Sequence, residues 1–113
     1  LAGNYELATE GFRQYLDSFP LTSRAAEAQL YMGDTHFNQR EYDQAIIEYD
    51  LLLQHYPDSN KKVTALYKKG LALAELNETE DALIYLRQVV SDFPDTTEAT
   101  SAQQKIDDLT DKH

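Results

Sequence analysis

An aromatic-proline pair recurs along the chain at a fixed step: Phe19-Pro20, Tyr56-Pro57 and Phe93-Pro94 are each 37 residues apart. Four further columns keep that step. They are Ala8, Ala45 and Ala82; Phe12, Tyr49 and Leu86; Leu16, Leu53 and Val90; and Ala28, Ala65 and Ala102. Periods of about 20 to 50 residues mark chains that stack one small unit, each unit too small to bury its own apolar side without a neighbour. The 113 residues hold three such steps, so the length counts stacked units in one domain.

Within a unit, the columns run Ala, then an aromatic or Leu four residues on, then Leu or Val four further on, then the aromatic-Pro pair. That is the stripe of one helical face, closed by a proline that cannot continue the helix. A second amphipathic stretch lies between each Pro and the next such helix: Ala25, Ala28, Met32 and Phe37 in one gap, Val63, Leu66, Gly70 and Leu73 in the next. The spacing therefore predicts an all-α array of about six helices in antiparallel pairs. A half repeat over 1–20 is followed by repeats at about 26–58 and 63–95 and a capping helix at about 97–110. Asn38-Gln39-Arg40 and Asn77-Glu78 read as the turns inside the pairs, and Thr22-Ser23, Ser59 and Thr79 as helix N-caps. The small residues of the pattern, Ala8, Ala45, Ala82, Gly33 and Gly70, belong where two helices approach within about 8 to 10 Å. The Tyr and Phe stripe reads as core.

The formal charge of −10, from 20 acids against 10 bases, argues against nucleic acid as a partner, because phosphate binding needs clustered Lys and Arg. With no Cys there is no disulfide, thiolate nucleophile or Cys-bound zinc. No apolar run approaches the roughly 18 to 20 residues of a membrane span. The start, Leu1-Ala2-Gly3-Asn4-Tyr5, reads as neither a signal peptide nor an initiator Met, as in an excised or processed piece. His36, His55 and His113 form no metal-ligand spacing and read as single surface histidines. No phosphate loop or nucleophile elbow occurs among the four glycines. The reading is a non-enzyme: no catalytic residue, no metal site and no cofactor.

Gly33, Ala45, Tyr49 and Pro57, repeated as Gly70, Ala82, Leu86 and Pro94, resemble the tetratricopeptide (TPR) pattern. Gln29 stands at its usual first aromatic position, and Lys69 where an apolar residue usually precedes the glycine. The resemblance implies a right-handed superhelix whose concave wall is formed by the first helix of each pair. It assigns Leu30, Tyr31, Asp34, Phe37 and Asn38 to that wall from one repeat, and Tyr67, Lys68, Leu71 and Glu75 from the next. Such a groove would bind partner protein segments. The junction Tyr56-Pro57-Asp58-Ser59, with its following lysines, resembles periplasmic TPR domains of the bacterial envelope. The first resemblance is to the Tol-Pal system repeat family, which implies a periplasmic scaffold with Tol-Pal partners, linked to cell division and outer-membrane constriction. The second is to the TPR lipoproteins of outer-membrane barrel assembly, which implies a structural subunit of outer-membrane protein assembly.

Two surfaces stand out beyond the groove. Lys61, Lys62, Lys68 and Lys69 form a basic patch in a chain that is acidic on both sides of it. The patch reads either as a dock for an acidic partner segment or as a solvated face offsetting the surrounding acids. Tyr5, Leu7, Phe12 and Tyr15 give the first helix an apolar edge, to be covered by upstream sequence or by self-association. The last helix is polar apart from one stripe of Ala99, Ala102, Ile106 and Leu109, as a terminal cap requires.

Overall fold

A computed structural model of the chain describes residues 2–18 and 24–111, with side chains from residue 7 onward. The described residues form six α-helices and no strand: α1 (Ala2–Ser18), α2 (Ala25–Asn38), α3 (Tyr42–His55), α4 (Lys62–Glu75), α5 (Thr79–Asp92) and α6 (Thr97–Thr110). Each helix packs on its neighbours in the chain, and α4 also touches α6. This is the all-α, TPR-like array expected. Its extents are 48 × 31 × 19 Å and its radius of gyration 14.3 Å, against about 13 Å for a compact chain near this length. The core is accordingly a thin double layer.

Two apolar clusters fill it. Ala26, Leu30, Ala45, Tyr49, Leu52 and Ala65 join α2, α3 and α4. Leu66, Leu86, Val89, Ala99, Ala102 and Ile106 join α4, α5 and α6. Leu53 packs against both clusters and makes them continuous. Side chains such as Leu52, Leu86 and Val89, which are wholly buried, each contribute roughly 1.5 to 3 kcal/mol relative to exposure. The glycine columns have the expected steric cause. A Cβ on Gly33 would overlap the Tyr49 ring, and one on Gly70 would lie 2.8 Å from Cγ and Cδ2 of Leu86.

The turns within pairs are built alike. After α2, Glu41 N–H donates to the His36 carbonyl and Arg40 N–H to that of Phe37; after α4, Glu78 N–H donates to Leu73 and Asn77 N–H to Ala74. Each is a Schellman motif, which needs a left-handed residue just past the helix. Arg40 (φ 64°) and Asn77 (φ 62°) take that place. Between pairs, the helices stop at Tyr56 and Phe93, each held out of the helical region by the proline after it.

The expected caps are corrected in part. Thr22 and Ser23 lie outside the described residues. Ser59 sits ahead of α4, where its Oγ accepts from Lys61 N–H at 3.0 Å, while Thr79 is already the first residue of α5. Thr96 is the side-chain cap, its hydroxyl accepting from Ala99 N–H at 3.1 Å.

Candidate protein-binding surface

Three helices share one wall. Lys61 Nζ lies 3.8 Å from Glu27 Oε2 and Lys68 Nζ 3.0 Å from Asp34 Oδ1, tying α4 and its N-cap to α2. Thr64 donates to Glu98 at 2.7 Å, tying α4 to α6. The Glu27–Lys61 and Thr64–Glu98 rungs are the same rung moved by 37 residues, with the acid now on the later helix. The Thr64 hydroxyl holds the Glu98 carboxyl below its usual pKa, more strongly than partial burial raises it.

The groove residues named from sequence divide on this wall. Tyr31 is 42% exposed, its ring 5.6 Å from that of Phe12. Asn38 and Glu75 are exposed, and Leu71 is half-buried. Asp34 is committed to the fold: besides Lys68, it accepts from the Tyr49 hydroxyl at 2.7 Å. Burial first, and that carboxylate second, hold the Tyr49 phenol far above its usual pKa. Phe37 leans on the first cluster and meets Tyr42 edge-on at 5.2 Å. Tyr67 packs on the second cluster. Leu30 is only 5% exposed and belongs to the core, so its expected place on the wall is corrected; it sits one helical position too far round.

The basic patch is likewise spent internally. Beyond the two ion pairs above, Lys69 Nζ lies 2.6 Å from Asp50 Oδ1 and 4.0 Å from the centre of the Tyr85 ring. Burial pulls the Lys69 ammonium down, but Asp50 and Tyr85 outweigh it and the pKa rises. Of the four lysines, three thus offset acids on α2 and α3, which leaves little charge for an acidic partner.

A buried polar junction was missed from sequence. Glu48, 5% exposed, accepts from Gln29 Nε2 at 2.7 Å and from Arg13 Nη2 at 2.9 Å, joining α1, α2 and α3. Gln29 also donates to the Glu48 carbonyl at 3.1 Å. His36 Nδ1 lies 2.9 Å from Glu41 Oε1 and its Nε2 3.8 Å from Glu48 Oε2, with the ring largely covered. His36 is therefore a junction residue and not the surface histidine expected. Gln29 at an aromatic position of the pattern was the available signal. Among the described residues, no group of three His, Cys, Asp or Glu is placed to hold a metal ion.

The surface offers aromatic, amide and aliphatic side chains for contact, and comparison with known families places it. The model of the YfiO family, described as an outer membrane lipoprotein, matches residues 1–112. The chain belongs to this family. A curated relative, the outer membrane protein assembly factor BamD of Caulobacter vibrioides, is 30% identical over 118 residues, covering 97% of this chain and 39% of its own length. The chain thus spans about two fifths of that relative. Membership of the YfiO family puts the protein in the bacterial envelope, where the periplasmic reading had it. It also corrects the first resemblance: the match is to outer membrane lipoproteins, the second family named, and the Tol-Pal and cell-division assignment is not supported. Both resemblances rest on the same aromatic-Pro junctions, Tyr56-Pro57 among them, so that motif does not separate them. No helix among the described residues is long and apolar enough to cross a membrane.

Proposed function

We propose that this chain is a non-enzymatic helical scaffold in outer-membrane protein assembly, holding partner protein segments on the wall formed by α2, α4 and α6. The family match over residues 1–112 carries the reading, and the assembly-factor relative supports it. The side chains offered are Tyr31, Asn38, Leu71 and Glu75, with Phe37, Tyr67 and Lys68 at the margins. An aromatic, an amide and an aliphatic side chain along one wall suit an extended or helical segment with an apolar side. In this reading, the repeats extend over about 26–58 and 63–95, flanked by the half repeat and the capping helix.

The test replaces the chromosomal copy with one carrying Tyr31→Ala and Leu71→Ala, both at side chains outside the buried core. Outer-membrane β-barrel proteins are then quantified in purified membranes at equal scaffold abundance. Fewer barrels are expected. Unchanged levels in both this variant and a depletion strain would sink the assembly reading; unchanged levels in the variant alone would move binding off this wall.

A further inference from the structure

Lys68, in the middle of the wall, can serve two acids at once. Its Nζ lies 3.0 Å from Asp34 Oδ1, and the same oxygen accepts from the Tyr49 hydroxyl at 2.7 Å. Burial first, and that carboxylate second, hold the Tyr49 pKa far above its usual value, so the phenol stays protonated and donates. Asp34 therefore keeps a donor whatever Lys68 does. An ammonium carries three donors, of which the Asp34 contact takes one, and the Lys68 side chain is 33% exposed. The neighbouring lysines differ. Lys69 is only 12% exposed, closed in by Asp50 and by the ring of Tyr85. Lys61 stands 3.8 Å from Glu27, both partly exposed, a solvated pair that fixes little geometry.

Apolar side chains stand on both sides of this lysine. Leu71, half-buried, is one turn further along α4, and Tyr31, 42% exposed, is one turn before Asp34 on α2, since residues three apart are neighbours on a helix surface. One period later, Leu86 stands in the place of Tyr49 and Leu71 in that of Asp34, so the Tyr-Asp-Lys arrangement belongs to the α2–α4 half of the wall. Resting on the reading of this wall as a binding surface, we propose that Lys68 receives an Asp or Glu side chain of the bound segment, between apolar residues that lie on Tyr31 and Leu71. Tyr49 is the positioning residue, holding Asp34 while Lys68 is shared; it is wholly buried and does not touch the segment. A chain-terminal carboxylate fits less well, because no residue follows it and one of the two apolar seats stays uncovered.

The probes are short fluorescein-labelled peptides with amidated C-termini, tiled across outer-membrane β-barrel proteins and titrated against the 113-residue chain by fluorescence anisotropy. The tightest binders are expected to carry an acid between apolar residues. Replacing that acid by its amide weakens binding about tenfold at low salt and much less at about 0.5 M, where the charge is screened. Lys68→Gln removes the preference for acid over amide. Tyr49→Phe, shown to be folded by thermal unfolding, weakens the acidic peptide about threefold and leaves its amide form unmoved, a split that a merely structural hydroxyl would not produce. Equal binding of acid and amide forms overturns the proposal, as does an equal loss for both in Tyr49→Phe, or tight binding of a peptide whose one carboxylate is its free C-terminus. The wall is read separately. Binding that is lost in Tyr31→Ala plus Leu71→Ala but is indifferent to the acid keeps the binding surface and overturns the role of Lys68; binding untouched by that pair, or absent from every peptide, overturns both.

Discussion

Gly33 lies against the ring of Tyr49 so closely that a Cβ on the glycine would overlap it. The aromatic edge is held on both sides, because the Tyr49 hydroxyl donates to Asp34 on the same helix as the glycine. The α2–α3 distance is thus set by a hydrogen and a ring, and the ring has little freedom to retreat.

Three helical glycines, Gly33, Gly70 and Gly11, differ in the room beside them. Gly33→Ala destabilises by about 1 to 3 kcal/mol, the usual range for overpacking. Gly70→Ala costs less, because the Leu86 side chain it meets at 2.8 Å can rotate away. Gly11→Ala, into open space, stabilises by about 0.5 to 1 kcal/mol from helix propensity alone. Urea denaturation followed by circular dichroism gives the order, and equal losses at 33 and 11 would show that packing plays no part.

Arg40 and Asn77 hold left-handed conformations that cost a side-chain-bearing residue roughly 1 to 2 kcal/mol. Arg40→Gly is expected to raise stability by up to about 1 kcal/mol, and Asn77→Gly by less, since Asn tolerates this region better. Thermal midpoints measure both. A fall on Arg40→Gly would mean that the arginine side chain contributes something its backbone strain conceals.

Glu48 is buried with its charge, facing Arg13 across α1 and α3 at 2.9 Å. The Arg13 side chain is 49% exposed and Gln29 still donates to the carboxylate without it, so Arg13→Ala costs about 1 kcal/mol. Glu48→Gln costs about 1 kcal/mol, and adding Arg13→Ala to it costs little more. A double-mutant cycle reads the coupling; additive losses would make the pair incidental.

Acid weakens the α4–α6 contact. Glu98 titrates below its ordinary value, about 4.5, because the Thr64 hydroxyl donates to its carboxylate. A group depressed in the folded state contributes stability that is present above its unfolded pKa and lost as pH falls through the folded one. Thr64→Val should therefore flatten the decline of stability below about pH 4.5 while lowering stability at neutrality. Lys69 behaves oppositely: raised above 10.5, its contribution is full below that pH and is lost on going more alkaline. Asp50→Asn should reduce the alkaline loss. Parallel pH profiles for wild type and variant would refute either assignment.

What the sequence disclosed was whatever recurs. Ala45 with Ala82, Tyr49 with Leu86 and Gly33 with Gly70 show their packing role because each is repeated in register, so helix number and core faces were readable. Glu48 was not, because its counterpart one period later is Tyr85 and a partner on another helix leaves no mark in its column, while Gln29, whose counterpart is Leu66, showed only as a departure from the pattern. The lysine cluster misled for a related reason. Charge counted along the chain makes residues 61–69 a basic patch, whereas Glu27, Asp34 and Asp50 reach it from earlier helices. Leu30 was misplaced because the wall and the core are adjacent stripes of α2, one residue apart.

The inter-helix links from Arg13–Glu48 to Thr64–Glu98 join residues no more than 35 apart. A chain tied only to its near neighbours has low contact order and closes its loops early, which favours rapid folding. Among the described residues, these links include no long tie to distribute tension. Pulled from its ends, such a protein would pay out in lengths of about one repeat, because releasing one helix pair removes the seat of the next and leaves the remaining pairs standing.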